Sequence, residues 1–268
     1  MARAHRHYLA GQIWHLTYRC HQREFLLKFA QDRQTWIGWL FQAKKRFGLC
    51  VLDYMVTSNH IHLLVYDREG RDVIPKSMQL VAGRSGQEYN QRKKRRGAYW
   101  EDRYHATAVE SGEHLRQCLV YIDLNMVRAG VVTHPEQWPD CGYLEILHPK
   151  ARGRIIDQEQ LTCLVGASSR AALQEVCRQG VDAPLERKLL GRQSHWTESI
   201  AVGCPEYVEA LQKQLGIKAR GREARPIEGG CQLRETETVY QGLLGSEKGG
   251  LSPENTLFWN RSLHSTMS

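Results

Sequence analysis

The sequence predicts an α+β protein in which helices cover an antiparallel sheet, followed by a smaller, mainly helical extension. Three observations carry that expectation. Short runs rich in β-formers and apolar residues recur at Gln12–Cys20, Leu49–Val56 and Asn59–Tyr66. Segments with apolar residues at helical spacing lie between and after them. After Pro149 the composition shifts to short helical segments joined by glycine-rich and basic linkers. The expected organisation is a first domain over residues 1–149 and a helical, basic C-terminal extension over 150–268. Such a division suits a chain longer than one average domain.

Gln12–Cys20 is the first strand, with Ile13, Leu16 and Tyr18 as its apolar set and His15 near its middle. Gln31–Phe47 places Trp36, Ile37, Leu40, Phe41 and Phe47 at the spacing of an amphipathic helix, ended by Gly48. Leu49–Val56 and Asn59–Tyr66, split by Thr57-Ser58, read as an antiparallel pair. Val73 to about Gln91 carries Ile74, Met78, Val81 and Tyr89 at helical spacing, although Gly83 and Gly86 weaken the pattern. A basic loop follows, then Tyr99–Val109 as a strand. Ser111 offers an N-cap for a helix over Glu113–Arg128, which Gly130 ends. The order to this point is β-α-β-β-α-β-α. Pro135–Pro149 is a closing segment rich in Trp, Pro and Gly. Beyond it, Asp157–Val165, Ala171–Arg178 and Glu206–Leu215 read as short helices, and Gly245–Ser268 is expected to be ordered only in part.

No run approaches the roughly 18 apolar residues of a membrane span. The basic N-terminus, Met1–His7, lacks the apolar stretch of a signal peptide. The expected place is the cytoplasm, at the nucleoid, with no membrane partner. Eight cysteines are scattered without a Cys-x-x-Cys pair, which argues against a zinc knuckle and a disulfide framework. The formal net charge of +8 points to a polyanionic partner. Its basic residues cluster at Lys44-Lys45-Arg46, at Arg92-Lys93-Lys94-Arg95-Arg96 and from Lys218 to Arg225. A single basic run is usually a solvated surface, and three of them make a nucleic acid the better expectation.

His60 and His62 sit two apart in a strand, so they share a face while Ile61, Leu63 and Val65 share the other. Two neutral imidazoles so placed can both reach one divalent cation. Taken alone, such a pair more often lines the polar face of a half-buried strand. In the helix over 113–128, Leu115, Cys118, Leu119, Ile122 and Met126 form an apolar stripe. Tyr121 and Asn125, four apart, stand together beside it. A helical tyrosine taken alone is usually a packing residue.

The two stretches together, Asn59-His60-Ile61-His62-Leu63-Leu64 and Tyr121-Ile122-Asp123-Leu124-Asn125-Met126-Val127-Arg128-Ala129-Gly130, resemble the paired motifs of the Y1-type HUH transposases. Within these, the chain resembles the REP-associated tyrosine transposases of the IS200-like superfamily. The resemblance covers roughly residues 8–148, including Trp100-Glu101-Asp102-Arg103-Tyr104 and Gln137-Trp138-Pro139. It reaches the tail through Glu206-Tyr207-Val208 and Lys218–Arg222. It implies a ferredoxin-like sheet, His60 and His62 as ligands of Mg²⁺ or Mn²⁺, Tyr121 as nucleophile and Asn125 as a third polar ligand. It also implies single-stranded or hairpin DNA as partner and a monomer or homodimer. Lys44, Lys45, Arg92, Lys93, Lys94, Arg95, Arg96 and Arg103 are the expected DNA contacts. Trp100 and Tyr104 are available to stack on bases, with core packing as the other role open to them. Two departures stand out. Many relatives have Pro where this chain has Met126, and Cys20-His21-Gln22-Arg23 replaces a Gly-Asn-x-x-Gln stretch, which alters local DNA contacts.

The implied reaction agrees with elementary chemistry. A tyrosine hydroxyl has a pKa near 10, so only about one in a thousand is phenolate at neutral pH. Attack on a phosphodiester therefore needs charge neutralisation, which a divalent cation supplies. The product is a 5′-phosphotyrosine and a free 3′-OH. Because the bond energy is kept, another 3′-OH can reverse the step and join strands. A helix-borne tyrosine cannot reach a phosphate held in a regular duplex, so the substrate is single-stranded. The competing expectations are a catalytically inactive DNA-binding protein of the same fold and an unrelated metallohydrolase in which Tyr121 is structural.

Overall fold

Short apolar strands bury themselves by pairing, and here they pair into one twisted layer. The computed structural model describes residues 9–68, 72–219 and 221–235. Its strands are β1 (Ile13–Arg19), β2 (Cys50–Val56), β3 (His60–Tyr66), β4 (His105–Val109), β5 (Ala201–Gly203), β6 (Arg222–Ile227) and β7 (Gly230–Glu235). The strand order is β2-β3-β1-β4-β5-β7-β6. All neighbours are antiparallel except β4 and β5. The helices are α1 (Ala30–Phe47), α2 (Val73–Arg92), α3 (Glu113–Asp123), α4 (Asn125–Arg128) and α5 (Gly142–Leu147). They continue as α6 (Gln158–Val165), α7 (Arg170–Glu186), α8 (His195–Glu198) and α9 (Pro205–Leu215). The first four strands with α1 and α2 make the expected ferredoxin-like unit, and α1 and α2 pack on each other. The fold is mixed α+β, as the pattern of the sequence implies.

The local signals work where side chains alternate or recur cleanly. Gly48, at φ 73°, ends α1 in the left-handed conformation that glycine adopts without strain. The glycines of α2 do not break it, and Gly86 lets the helix approach Tyr99, which a Cβ would meet at 3.1 Å. Three expectations change. Tyr99–Tyr104 does not continue β4: Tyr99 and Trp100 are both buried, so their side chains do not alternate. Gly112, not Ser111, stands at the start of α3, with no side-chain cap. The helix over 113–128 is split at Leu124, where the Arg128 guanidinium donates to the Tyr121 carbonyl at 2.5 Å.

The segment after residue 149 contributes helices and also three strands that extend the sheet through β4 and β5. β5 is three residues long and half of β6 is charged, with a proline near its end, so neither carries a strand pattern. Residues through Glu235 form one compact unit. The expectations for Met1–His7, for Arg220 and for Gly245–Ser268 fall outside the described residues. All eight cysteines are free thiols. Among the described residues no helix is long and apolar enough to cross a membrane.

Candidate metal and nucleophile site

β1 lies between β3 and β4, and its register pairs Arg19 with His60, Thr17 with His62 and His15 with Leu64. Cross-strand partners share a face, so His15, Thr17 and Arg19 stand on the face of the two histidines. His60 Nδ1 lies 2.7 Å from Asn59 Oδ1 and 3.0 Å from Thr57 Oγ1. Asn59 Nδ2 points away to the Arg23 carbonyl at 3.3 Å. An amide oxygen only accepts, so His60 carries its proton on Nδ1 and Nε2 keeps a lone pair. His62 is buried. Its Nε2 accepts from Asn125 Nδ2 at 2.9 Å, and its Nδ1 lies 2.9 Å from His15 Nε2. His15 Nδ1 in turn lies 2.9 Å from the carbonyl of Trp196. Burial pushes His60 down to about 4 and His15 down to about 3, and holds His62 well below the usual imidazole range. All three rings are therefore neutral at neutral pH, the state in which imidazole binds metal.

α3 lays Tyr121 over these rings. The Tyr121 ring centre is 5.9 Å from that of His62 and 6.2 Å from that of His15, edge-on to both. Tyr121, Asn125 and Arg128 follow at i, i+4 and i+7, one face of a helix. The Arg128 guanidinium sits 4.2 Å from the Tyr121 ring centre, a cation–π contact. Burial raises the Tyr121 phenol above its ordinary range. The charge of Arg128 and a hydrogen bond from the Thr197 hydroxyl offset part of that rise. Tyr121, Asn125, His60 and His62 all open onto one cleft of about 1060 Å³. Five arginines line it, Arg19, Arg23, Arg103, Arg128 and Arg192, against three carboxylates. One of those, Glu198, is held by Arg192 at 3.0 Å and Arg234 at 2.7 Å. The cleft is positive.

Residues 9–125 match the family model described as transposase, IS200-like. That segment is similar to the IS200-like transposases. The match runs from β1 through the His60/His62 strand to Asn125, so it takes in each residue of the metal and nucleophile site named from the sequence. Two solved structures are similar. One is a REP-associated tyrosine transposase bound to a REP hairpin, at 21% identity and a TM-score of 0.47, covering 58% of this chain and 90% of that one. The other is a candidate transposase from Deinococcus radiodurans R1, at 19% identity and a TM-score of 0.32, covering 42% of this chain and 88% of that one. No curated protein matches the sequence.

The expected DNA contacts fall in three places. Arg103 is exposed and lines the cleft. Arg92, Lys93, Lys94, Arg95 and Arg96 lie near the His60 end of the sheet, since Arg95 reaches Glu24 at 3.2 Å in the loop after β1. Lys93 and Lys94 are exposed there, with Lys93 5.1 Å from the exposed Phe29 ring, while Arg92 pairs with buried Asp32. Lys44 and Lys45 are at the opposite end, beside the start of β2, and Lys44 donates to the carbonyls of Arg154 and Ile155. Trp100 and Tyr104 are buried. Trp100 stacks on Tyr18 at 4.3 Å and donates to the Ala82 carbonyl, and Tyr104 meets Tyr18 edge-on. Their place is in the protein's own aromatic stack.

Among the described residues no three His, Cys, Asp or Glu side chains converge as a ligand set. His60, His62 and the Asn125 amide line one cleft, where the amide donates from Nδ2 to the His62 Nε2 lone pair. Two imidazole nitrogens, with the amide oxygen if Asn125 turns it inward, fit a divalent cation that accepts nitrogen as well as oxygen and draws its other oxygens from water or phosphate. Sequence reasoning missed His15, Arg128, Thr197 and Trp196. Arg128 had a signal, seven residues after Tyr121 on the same helix face. His15 had a weaker one, its place in β1. Thr197 and Trp196 had none.

Proposed function

We propose that this chain is a divalent-metal-dependent single-stranded DNA endonuclease and strand transferase that acts on hairpin-forming repeats through Tyr121. One observation carries the reading: Tyr121, Asn125, His60 and His62 open together onto a cleft lined by five arginines. Hairpin repeats as the substrate class come from the sequence resemblance. His60 Nε2, His62 Nε2 and the Asn125 amide would hold Mg²⁺ or Mn²⁺, which supplies charge neutralisation at the scissile phosphate. The Tyr121 oxygen forms the bond to phosphorus, giving a 5′-phosphotyrosine, and the 3′-oxygen leaves. Arg128 steadies the ring and favours loss of the phenol proton, because its charge opposes the effect of burial. The arginines draw in the sugar–phosphate backbone. Tyr121 and both histidines of one copy line the same cleft, and the chain would act as a monomer or homodimer. The protein would work at the chromosome.

The test is incubation with a labelled hairpin oligonucleotide and Mn²⁺. A protein–DNA adduct that survives boiling in SDS is expected, together with a free 3′-OH. Tyr121→Phe should still bind the hairpin and form no adduct. An adduct that persists in Tyr121→Phe and maps to another tyrosine would overturn the assignment. Binding without any wild-type adduct would favour a DNA-binding protein that has lost its chemistry.

A further inference from the structure

We infer that His15 is a positioning residue: with its Nδ1 tied to the Trp196 carbonyl, it sets the tautomer of His62 that leaves Nε2 as the metal-facing lone pair. The inference rests on the proposed metal site for its use, while its structural content stands on hydrogen bonds alone.

The argument starts at the carbonyl. A carbonyl oxygen accepts and cannot donate, so the 2.9 Å contact requires a proton on His15 Nδ1. His15 is fully buried, and its two ring nitrogens meet a carbonyl and an imidazole with no carboxylate to pair a charge, so the ring holds a single proton. A neutral imidazole carries one N–H, so His15 Nε2 is an acceptor. It faces His62 Nδ1 at 2.9 Å, and that contact is a hydrogen bond only if His62 donates from Nδ1. His62 then has no proton on Nε2. The other side of the ring says the same: the Asn125 amide nitrogen donates to His62 Nε2 at 2.9 Å. Two independent neighbours thus demand one tautomer. The rings of His15 and His62 lie nearly coplanar, with centres 5.1 Å apart and planes 15° from parallel, as a hydrogen bond between ring nitrogens requires, so His62 cannot swing without breaking it.

Metal-binding histidines commonly use a carboxylate or carbonyl for this purpose. Here an imidazole relays the carbonyl's demand. Its origin lies in α8, well outside the matched family segment, at residue 196. α8 also brings Thr197 to the Tyr121 hydroxyl. One short helix of the C-terminal part therefore reaches His62 through His15 and lines the Tyr121 cleft with Thr197.

The test uses the full chain without metal. Long-range ¹H–¹⁵N spectra of the imidazoles read the tautomer of each histidine. The expected result is His62 protonated on Nδ1 and bare on Nε2, and His15 likewise. In His15→Leu the His62 resonances should move to a mixture of tautomers, and His15→Gln, whose side-chain oxygen can still accept from His62, should restore them. Mn²⁺ affinity by calorimetry should fall about 10- to 100-fold in His15→Leu and recover in His15→Gln. A wild-type His62 protonated on Nε2 would overturn the inference, even if neither variant folds. So would a His62 spectrum and Mn²⁺ affinity unchanged in folded His15→Leu. A wild type that binds no Mn²⁺ but shows the expected tautomers would instead remove the metal reading and leave the His15 relay standing.

Discussion

Two groups of buried polar side chains lie on the same face of the sheet, and they are built in opposite ways. Asp53 on β2, Leu64 on β3 and His15 on β1 form one cross-strand row. On the β1 side of Leu64, His15, His62 and Asn125 form a chain in which each ring nitrogen has a partner. On the β2 side, Asp53 lies near Asp123 of α3, and neither Asp53 oxygen nor Asp123 Oδ1 meets a hydrogen-bond donor at normal geometry. The difference follows from the groups themselves. A neutral imidazole is both donor and acceptor, so a file of them can be satisfied without water. A carboxylate only accepts, and burying its charge unpaired is costly. Both aspartates are therefore pushed well above the usual carboxylate range by burial, Asp53 further by the neighbouring charge of Asp123. The satisfied cluster reaches the cleft through His62 and Asn125. The unsatisfied one is sealed beneath α3 and α5.

Exchanging the roles of the two clusters would break this comparison, and the largest effect is expected on the histidine side. His62→Ala should abolish Mn²⁺-dependent hairpin cleavage and Mn²⁺ binding while the protein stays folded, read by adduct formation beside circular dichroism. Wild-type cleavage in Mn²⁺ would show that the satisfied cluster is merely structural. On the aspartate side the effects should appear in stability. A Cβ at Gly142 would lie 2.1 Å from Asp53 Oδ1 and 3.0 Å from the Tyr54 nitrogen, so the glycine is required by close approach. Gly142→Ala should lower unfolding stability by about 1–3 kcal/mol, with adduct formation per folded molecule unchanged. Loss of chemistry in a fully stable Gly142→Ala would place the aspartates in the catalytic machinery.

The smallest effect sharpens the contrast. A raised folded pKa means that the native state keeps a proton the unfolded chain has lost. The contribution of the pair is then greatest below the unfolded aspartate pKa of about 3.9 and declines as pH rises above it. Asp53→Asn holds no such proton. Urea midpoints measured between weakly acid and weakly alkaline pH should therefore fall less with rising pH in Asp53→Asn than in the wild type. Equal slopes would mean that the pair is not protonated in the folded state.

What was readable from sequence follows the range of the signal. His60 and His62 share a face because a strand repeats every two residues, and Tyr121 and Asn125 share one because a helix brings i and i+4 together. Each fact needs only local geometry, and the structure joins the two pairs in one cleft. Trp100 and Tyr104 show the limit, because an aromatic residue that could stack on a base looks the same in sequence as one that stacks on Tyr18. Lys44 shows it too: a basic run does not reveal that one of its members caps the carbonyls of Arg154 and Ile155.

By itself, then, the sequence determined the order of the first four strands and their helices, the two motifs of the site and the positive charge that goes with a nucleic acid. Periodicity and charge are properties of neighbouring residues, and they survive in any arrangement of the chain. Only the tertiary structure decided that β5 would pair with β4, that α8 would settle beside Tyr121, and that the Trp196 carbonyl would meet His15 across 181 residues of chain. A backbone carbonyl is the same in every residue, so no pattern of side chains can mark which one will orient a distant side chain. Its role exists only once the fold has brought it within hydrogen-bond reach of a buried imidazole.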